Sequence, residues 1–292
     1  MKGLGLAVAL MSALVLAGCV THSGKGGDND WPDAAGFQFF VREGVRYTPP
    51  NWPEELLADI YVPKTLGALP AVLLVHGGDW TDGERGDMSL IAKRLAQAGF
   101  VVVNVDYRLA PAHPFPAALQ DLHQAVRWMR SNASVYQIDA ARIGAWGYEA
   151  GGQLVALLAS VDEQLRPGSK SPAQLGAVVL GGTPYDLLNW SEAEVVATAL
   201  GTAPGQQPER ARQASPIQQV NATTPPTLLY HAGMDRYIPA AQAEGMKAVL
   251  ERNNIPAELF IVHGLGHSTM FLVNRQAIGV GTDFLNRRLR GW

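Results

Sequence analysis

The fold is decided by the stretch Gly147-Tyr148-Glu149-Ala150-Gly151-Gly152. An apolar run over 143–146 predicts a short buried strand before it, and a run over 151–159 predicts a helix after it. Small residues on both sides of a central position allow a sharp turn, because larger side chains would collide there. We therefore predict that Glu149 is raised above the end of the strand, beside the amino terminus of the helix.

Strands and helices alternate on both sides of this turn. Further apolar strands are predicted over 69–75, 100–105, 177–180, 227–230 and 259–262, and helices over 89–98, 117–129 and 240–252. Such alternation is typical of a mostly parallel central sheet with helices on both faces. Two earlier strands, 37–42 and 57–61, are predicted to form an antiparallel edge. The Pro-, Gln- and Ser-rich segment 185–226 is predicted to leave the sheet as a short lid. We predict one α/β domain over 36–292.

The composition excludes several classes of function. The 292 residues are 47% hydrophobic, which is enough for a large buried core. The 23 basic and 26 acidic residues give a net charge of −3, so neither nucleic acid nor an anionic lipid surface is indicated as a partner. The single cysteine supports neither an intrachain disulfide nor a Cys/His metal site. We expect no metal and no cofactor.

The amino-terminal segment is predicted to lie outside this domain. A cationic start and an apolar run too short to span a membrane are typical of a signal peptide over 1–18. The ending Leu16-Ala17-Gly18-Cys19 resembles the lipobox of bacterial lipoproteins, in which the cysteine is acylated and becomes the mature amino terminus. We predict a lipoprotein tether over 19–35. Because Val20 is not aspartate, we expect a lipid anchor through Cys19 in the outer membrane, facing the periplasm. The alternative is a secretory signal with an incidental cysteine.

A second glycine-rich turn follows the predicted strand over 69–75, in His76-Gly77-Gly78-Asp79-Trp80. Backbone N–H groups at such a turn can point inwards and bind an oxyanion together with the amide of Ala150. We predict an oxyanion hole formed by Gly77, Gly78 and Ala150, and we expect His76 to brace this loop. The alternative is an ordinary glycine turn between a strand and a helix.

Other strands are followed by charged or titratable side chains. Asp235 follows the penultimate predicted strand and His267 follows the last one. The carboxyl ends of parallel strands meet at one edge of the sheet, where the sites of α/β proteins form. We therefore expect Asp235 and His267 to lie near Glu149; a turn or capping role is the alternative for each. Arg108 and Asp121 follow an earlier strand, and we predict that they brace their loop without taking part in chemistry.

Together these motifs resemble the α/β-hydrolase superfamily, and within it the esterases with an HGGxW oxyanion loop. That group includes hormone-sensitive-lipase-like, feruloyl- or acetyl-esterase-like and kynurenine-formamidase-like proteins. The resemblance covers 57–292. It implies an α/β-hydrolase fold and a catalytic triad in the chain order elbow residue, Asp, His, here Glu149, Asp235 and His267. It also implies hydrolysis of small carboxylic esters or amides, and the predicted lipid anchor would place this activity at the cell envelope.

The sequence departs from that family at the nucleophile. The elbow of these enzymes carries serine, and this chain carries Glu149. A carboxylate is a poor nucleophile towards esters, and its longer side chain can fold back onto the oxyanion-hole amides. Three interpretations stay open. They are a hydrolase in which Glu149 acts as nucleophile or general base with weak or altered turnover, an inactive binding or scaffold lipoprotein, and a substitution of a catalytic serine. Family membership favours the hydrolase.

Overall fold

The computed structural model describes residues 20–24, 36–161, 174–190, 193–272 and 275–291. The predicted signal peptide, the predicted lipid-bearing Cys19 and most of the predicted tether lie outside the described residues. Within the described ranges, strands and helices alternate along the chain.

The described residues form a nine-stranded sheet. Its strands in chain order are β1 (Val20–Ser23), β2 (Phe39–Arg46), β3 (Leu57–Pro63), β4 (Leu69–Val75), β5 (Val101–Val105), β6 (Ile138–Tyr148), β7 (Val178–Gly181), β8 (Thr227–Ala232) and β9 (Ala257–Val262). They lie side by side in the order β1-β9-β8-β7-β6-β4-β5-β3-β2. The six strands from β9 to β5 in that order are parallel. The edge pairs β1–β9, β3–β5 and β2–β3 are antiparallel.

Helices cover both faces of this sheet. They are α1 (Ser89–Gln97), α2 (Ala117–Ser131), α3 (Ala150–Ser160), α4 (Ala193–Leu200), α5 (Pro208–Gln213), α6 (Ala241–Arg252), α7 (His267–Leu272) and α8 (Arg275–Arg290). The apolar side chains of α2, α3 and α6 belong to one core, and those of α1, α7 and α8 belong to the other. Among the described helices, none combines the length and the apolar character that crossing a membrane requires.

The central strands contribute to both cores. In β4, Leu73 and Val75 face one core and Val72 and Leu74 face the other, because successive side chains of a strand point to opposite faces. Burial on both faces explains why β4 is a continuous apolar run instead of an alternating one. The predicted α/β-hydrolase fold, with a mostly parallel sheet between two helical layers and an antiparallel edge, is confirmed.

The structure corrects the predicted tether. Val20–Ser23, within the predicted tether, form β1 and pair with the outer edge of β9, where Val20 lies opposite Val262. Side chains reinforce this pairing, since Thr21 Oγ1 lies 2.7 Å from His263 Nε2. A four-residue polar strand carries no alternating pattern long enough to be recognised in a sequence. The first residues of the predicted tether are therefore part of the sheet.

The turn between β6 and α3 has no space for side chains at its glycines. A Cβ atom added to Gly147 would lie 2.2 Å from the backbone oxygen of Gly151, and one added to Gly151 would lie 2.2 Å from the oxygen of His76. Glu149 stands between these glycines with φ 52° and ψ −117°, a conformation that L residues avoid. The sequence thus folds into the predicted elbow, and Glu149 occupies its strained apex.

The described part of the predicted lid segment over 185–226 packs against the domain as an additional layer. Its helices α4 and α5 lie on the α2 and α3 side of the sheet. Gln153 in α3 donates a side-chain hydrogen bond of 2.6 Å to the backbone oxygen of Ala214. The backbone N–H of Phe115 donates to the oxygen of Ala199 at 2.8 Å. The buried apolar side chains of the lid segment belong to the same core as those of α3; they are Tyr185, Leu187, Trp190, Val196, Ala199, Leu200, Ala211 and Ala214.

We expect Gly151→Ala to lower the free energy of unfolding by about 2–3 kcal/mol, because the new methyl group overlaps buried backbone. Gly279→Ala in α8 is the matched control. Nothing lies within 4 Å of the methyl group added there, and helix propensity predicts a gain of about 1 kcal/mol. Chemical denaturation followed by circular dichroism measures both variants. Equal stability of the two variants would contradict the tight elbow.

Candidate active site

The carboxylate of Glu149 is bound by the oxyanion loop. Its Oε2 atom accepts hydrogen bonds from the backbone N–H groups of Gly78, at 2.7 Å, and Asp79, at 2.9 Å. The side chain is almost fully removed from solvent, with 4% of the residue exposed. Two amides that converge on one anionic oxygen in a buried site have the geometry of an oxyanion hole. The protein therefore fills this hole with its own side chain.

The loop amides differ by one residue from those that we predicted. We expected Gly77 and Gly78, and the amides on the carboxylate belong to Gly78 and Asp79. The reason is backbone conformation, because Gly78 has φ 110° and Asp79 has φ 52°, which turn both N–H groups inwards. Gly77 instead leaves space, since a Cβ added there would lie 3.0 Å from Glu149 Oε2. The amide of Ala150 also acts on the Glu149 carboxylate and helps to lower its pKa.

The protonation of Glu149 is set by opposing influences. Burial raises the pKa of Glu149 to about 7, and the negative charge of Asp79 adds to the rise. The amides of Ala150, Asp79 and Gly78 act in the opposite direction because they stabilise the anion. A pKa near neutrality makes both the protonated and the ionised form of this carboxyl group accessible.

Asp235 and His267 form the second part of the site. Asp235 Oδ2 lies 2.7 Å from His267 Nδ1, and Oδ1 accepts hydrogen bonds from the amides of Tyr237 at 2.9 Å and Ile238 at 2.8 Å. Burial raises the pKa of Asp235, but its bonds to His231 and His267 outweigh burial and hold it well below its usual range. An ionised Asp235 therefore fixes the ring of His267.

Asp235 in turn changes the basicity of His267. Burial lowers the pKa of His267, but the hydrogen bond and the charge of Asp235 outweigh burial, so the net change is upward. With the Nδ1 proton donated to Asp235, the neutral ring carries its basic lone pair on Nε2. In this arrangement Nε2 of His267 can accept a proton.

Glu149 is not bonded to this pair. In the described part of the chain, no ion pair joins Glu149 to His267, and the negative charge of Glu149 raises the pKa of His267 from a distance. Oε1 of Glu149 is buried and has no hydrogen-bond partner. The side chain of Glu149 instead folds back onto the amides of the oxyanion loop, which it can reach because glutamate is longer than serine. The structure thus brings Asp235 and His267 into contact, whereas the carboxylate of Glu149 bonds to the oxyanion loop.

His76 supports the oxyanion loop, and a buried ion pair supports the loop that follows β5. His76 Nδ1 lies 2.7 Å from the backbone oxygen of Gly77, and the ring of His76 stacks on Tyr107 with a centroid distance of 4.2 Å. Arg108 and Asp121 form a buried ion pair of 2.9 Å. Both arrangements agree with the bracing roles that we expected, and neither side chain of the ion pair contacts Glu149 in the described part of the chain.

Aromatic residues surround His267, and sequence reasoning missed their roles. The hydroxyl group of Tyr148 donates to the backbone oxygen of His267 at 2.8 Å. The ring of Tyr237 meets the ring of His267 edge-on, with centroids 5.5 Å apart. Trp190 from the lid segment lies against Tyr237 at 5.4 Å. The only signal in the sequence was that Tyr148 and Tyr237 flank motif residues.

A small cavity lies between the oxyanion loop, α3 and the lid segment. Its volume is about 20 Å³, which is the space of about one water molecule. Trp80 forms one wall and is fixed there by a hydrogen bond of 3.0 Å from its ring nitrogen to Gln153. Apolar lid residues form the opposite wall; they are Leu187, Ala199, Leu200 and Ala214.

No group of three or more His, Cys, Asp or Glu side chains suited to hold a metal ion occurs in the described ranges.

The raised pKa of Glu149 predicts how the free energy of unfolding depends on pH. Its pKa in the folded chain is about 7, above the ordinary value of 4.5, so the folded state holds a proton that the unfolded state releases between these values. This stabilisation is fully present below the ordinary pKa and is lost as pH rises through 7. We expect the free energy of unfolding of the parent, relative to Glu149→Gln, to fall across that window by at most about 1.4 kcal/mol per pH unit.

Urea denaturation of both proteins between pH 4 and pH 8 measures this difference. Glu244→Gln, which removes an exposed carboxylate from α6, is the control for the loss of one charge. A parent-minus-variant difference that stays flat over the range would contradict the raised pKa of Glu149.

Comparison with known proteins finds a matching family and several esterases to which the chain is similar. The BD-FAE family matches residues 58–250, about two thirds of the chain. Esterase LipC of Mycobacterium tuberculosis is 32% identical over 209 residues, which are 65% of this chain and 51% of LipC. A probable isoprenylcysteine alpha-carbonyl methylesterase of Oryza sativa subsp. japonica is 29% identical over 233 residues, 73% of this chain and 54% of that protein. The chain spans about half the length of the curated relatives it matches.

Solved structures share the architecture. A truncated carbohydrate esterase from gut microbiota has a TM-score of 0.78 and 26% identity, with 91% of this chain and 100% of that chain covered. Esterase 2 of Thermogutta terrifontis has the same fold, with a TM-score of 0.71, 22% identity and coverage of 88% and 94%. With its elbow between β6 and α3 and its mostly parallel sheet, the chain belongs to the BD-FAE family, in the esterase group of the α/β-hydrolases.

Proposed function

We propose that this chain carries the site of a carboxylic-ester hydrolase for small esters or amides, in which Glu149 keeps turnover weak. One observation carries the proposal: two backbone amides bind an anionic oxygen at the elbow, in a site that also contains an Asp235–His267 pair. Such amides stabilise the oxyanion of a tetrahedral intermediate, and an Asp-oriented histidine supplies the general base. The same two features serve acyl transfer in unrelated hydrolases.

The relatives support this reaction class. LipC is named an esterase, and the gut-microbiota protein is named a carbohydrate esterase. Aromatic side chains near His267 supply an apolar surface for an acyl or aryl group; Trp190 packs against both Trp80 and Tyr237. We therefore propose a substrate in which an acyl carbon is bonded to an ester oxygen or an amide nitrogen.

Glu149 limits turnover for two reasons. Attack by a carboxylate on an ester would give a mixed anhydride, whereas a serine hydroxyl gives an acyl ester that water cleaves. Moreover, Oε2 of Glu149 already occupies the amides that a substrate carbonyl oxygen would need. Loss of the serine nucleophile from an intact triad costs a factor on the order of 10⁶ in turnover.

A second candidate is a non-catalytic binding protein with the same fold. The observation that favours it is the filled oxyanion hole, because a site that no longer performs catalysis has no need to keep these amides free. The two candidates differ in whether the parent chain turns over an ester at all.

We also propose a location at the bacterial cell envelope. The support is the apolar run that ends in Leu16-Ala17-Gly18-Cys19, which suits a lipid anchor in the outer membrane facing the periplasm. Because β1 begins at Val20, a lipid on Cys19 would be attached directly beside the edge of the sheet. The catalytic domain would then lie close to the bilayer surface.

Replacing Glu149 by serine tests the proposed chemistry. We expect Glu149→Ser to hydrolyse p-nitrophenyl acetate at least about 100-fold faster than the parent, because the oxyanion amides become free. The serine proton passes to His267, the serine oxygen bonds the acetyl carbon, and p-nitrophenolate leaves; water then cleaves the acetyl-serine. His267→Ala in this background should abolish the gain, because the hydroxyl group loses its proton acceptor.

The parent and its Glu149→Gln variant complete the comparison. Activity in the parent that Glu149→Gln removes would identify a working carboxylate. Activity in the serine variant alone would identify a hydrolase whose nucleophile has been replaced. No activity in either the parent or a folded serine variant would contradict the proposed hydrolase and favour the binding protein.

The amino terminus tests the proposed location. We expect mass spectrometry of the protein purified from a bacterial membrane fraction to show a mature chain that begins at an acylated Cys19. Cys19→Ser should abolish the lipid and shift the protein to the soluble fraction. A mature chain that begins elsewhere, with an unmodified Cys19, would contradict the lipid anchor.

A further inference from the structure

Tyr237 lies between the two halves of the site. Its backbone N–H donates to Asp235 Oδ1 at 2.9 Å, and its hydroxyl group donates to Asp79 Oδ1 at 2.7 Å. Its ring meets the ring of His267 at an interplanar angle of 76°. One residue thus contacts the carboxylate that orients the histidine and the loop that supplies the oxyanion amides.

Asp79 has a strained backbone that contacts from other residues must stabilise. Its N–H group is one of the two amides on Glu149 Oε2. Asp79 and the following Trp80 both have left-handed backbones, with φ 52° and φ 63°. Non-glycine residues in this region are strained and persist only where surrounding contacts hold them. The side chain of Trp80 is held by Gln153, and the side chain of Asp79 is held by Tyr237.

We propose that Tyr237 is a positioning residue that ties the oxyanion loop to the Asp–His pair. The hydrogen bonds run without a gap from His267 through Asp235 and Tyr237 to Asp79. A shift of the Tyr237 ring therefore moves the Asp79 amide relative to the histidine. The inference rests on the proposed function for its catalytic consequence, but the restraint on Asp79 exists whether or not the chain is an enzyme.

The lid segment contributes to the same arrangement. The ring nitrogen of Trp190 donates to the backbone oxygen of Tyr237 at 3.2 Å, and the two rings lie edge to face. Tyr237 is therefore fixed from three sides, by Asp235, by Asp79 and by Trp190. Its hydroxyl group is the part that can be removed while the ring contacts stay in place.

The catalytic test uses the Glu149→Ser background. We expect Tyr237→Phe to lower kcat for p-nitrophenyl acetate about 10-fold with KM changed less than about 3-fold, since a displaced oxyanion donor weakens transition-state binding more than substrate binding. Asp79→Asn keeps the acceptor oxygen for Tyr237 and should retain most of the activity, whereas Asp79→Ala should behave like Tyr237→Phe. The double variant Asp79→Ala/Tyr237→Phe should be no worse than the single ones.

Tyr136→Phe is the matched control. Tyr136 is a half-buried tyrosine packed on Trp128, away from the oxyanion loop, and its variant should keep both kcat and KM. Additive losses from Asp79→Ala and Tyr237→Phe, or a loss in KM alone, would overturn the positioning role.

A second measurement needs no activity and separates the two proposals. In the parent chain, amide hydrogen exchange at Asp79, followed by NMR, should become at least about 10-fold faster in Tyr237→Phe and stay unchanged in Tyr136→Phe. If the serine variant is inactive but this exchange responds, the proposed function fails and the restraint stands. Unchanged exchange at Asp79 in Tyr237→Phe overturns the inference.

Discussion

Two backbone amides, those of Gly78 and Asp79, donate to a single carboxylate oxygen of Glu149, and the rest of the site is arranged around this contact. The elbow raises Glu149 to the end of β6, and the glycines beside it allow β6, α3 and the oxyanion loop to approach each other closely. A serine at the same apex would be too short to reach those amides with its own oxygen. The extra length of glutamate changes an oxyanion hole into a binding site for the protein's own side chain.

Opposing contributions set the pKa of Glu149. Removing a carboxylate from water is costly, and the charge of Asp79 adds repulsion, whereas three amides stabilise the anion. The result is a pKa of about 7 for a residue that ordinarily titrates near 4.5. Asp235 shows the opposite outcome in the same site, because its bonds to two histidines outweigh burial and keep it ionised. The Asp–His pair thus combines an ionised aspartate with a histidine of raised pKa, whereas Glu149 titrates near neutral pH.

Much of this arrangement is visible in the sequence because it depends on local patterns. The apolar runs of β4 to β9 and the small residues around Glu149 predict the sheet, the elbow and the order of the site residues. The identity of the second loop amide is not visible, since it depends on left-handed backbones at Asp79 and Trp80, which are not glycine. Tyr237 and β1 are missed for a related reason: the hydroxyl of Tyr237 and the pairing of Val20 act on residues more than 150 positions away. Such contacts come from packing and leave no periodic signal.

An NMR titration of the parent chain shows whether the Glu149 carboxylate occupies the oxyanion hole. The carboxyl carbon of Glu149 and the amide protons of Gly78 and Asp79 should shift together with pH and share one midpoint near 7. A carboxyl carbon that titrates in the ordinary range of glutamate, with both amides unaffected, would contradict the account.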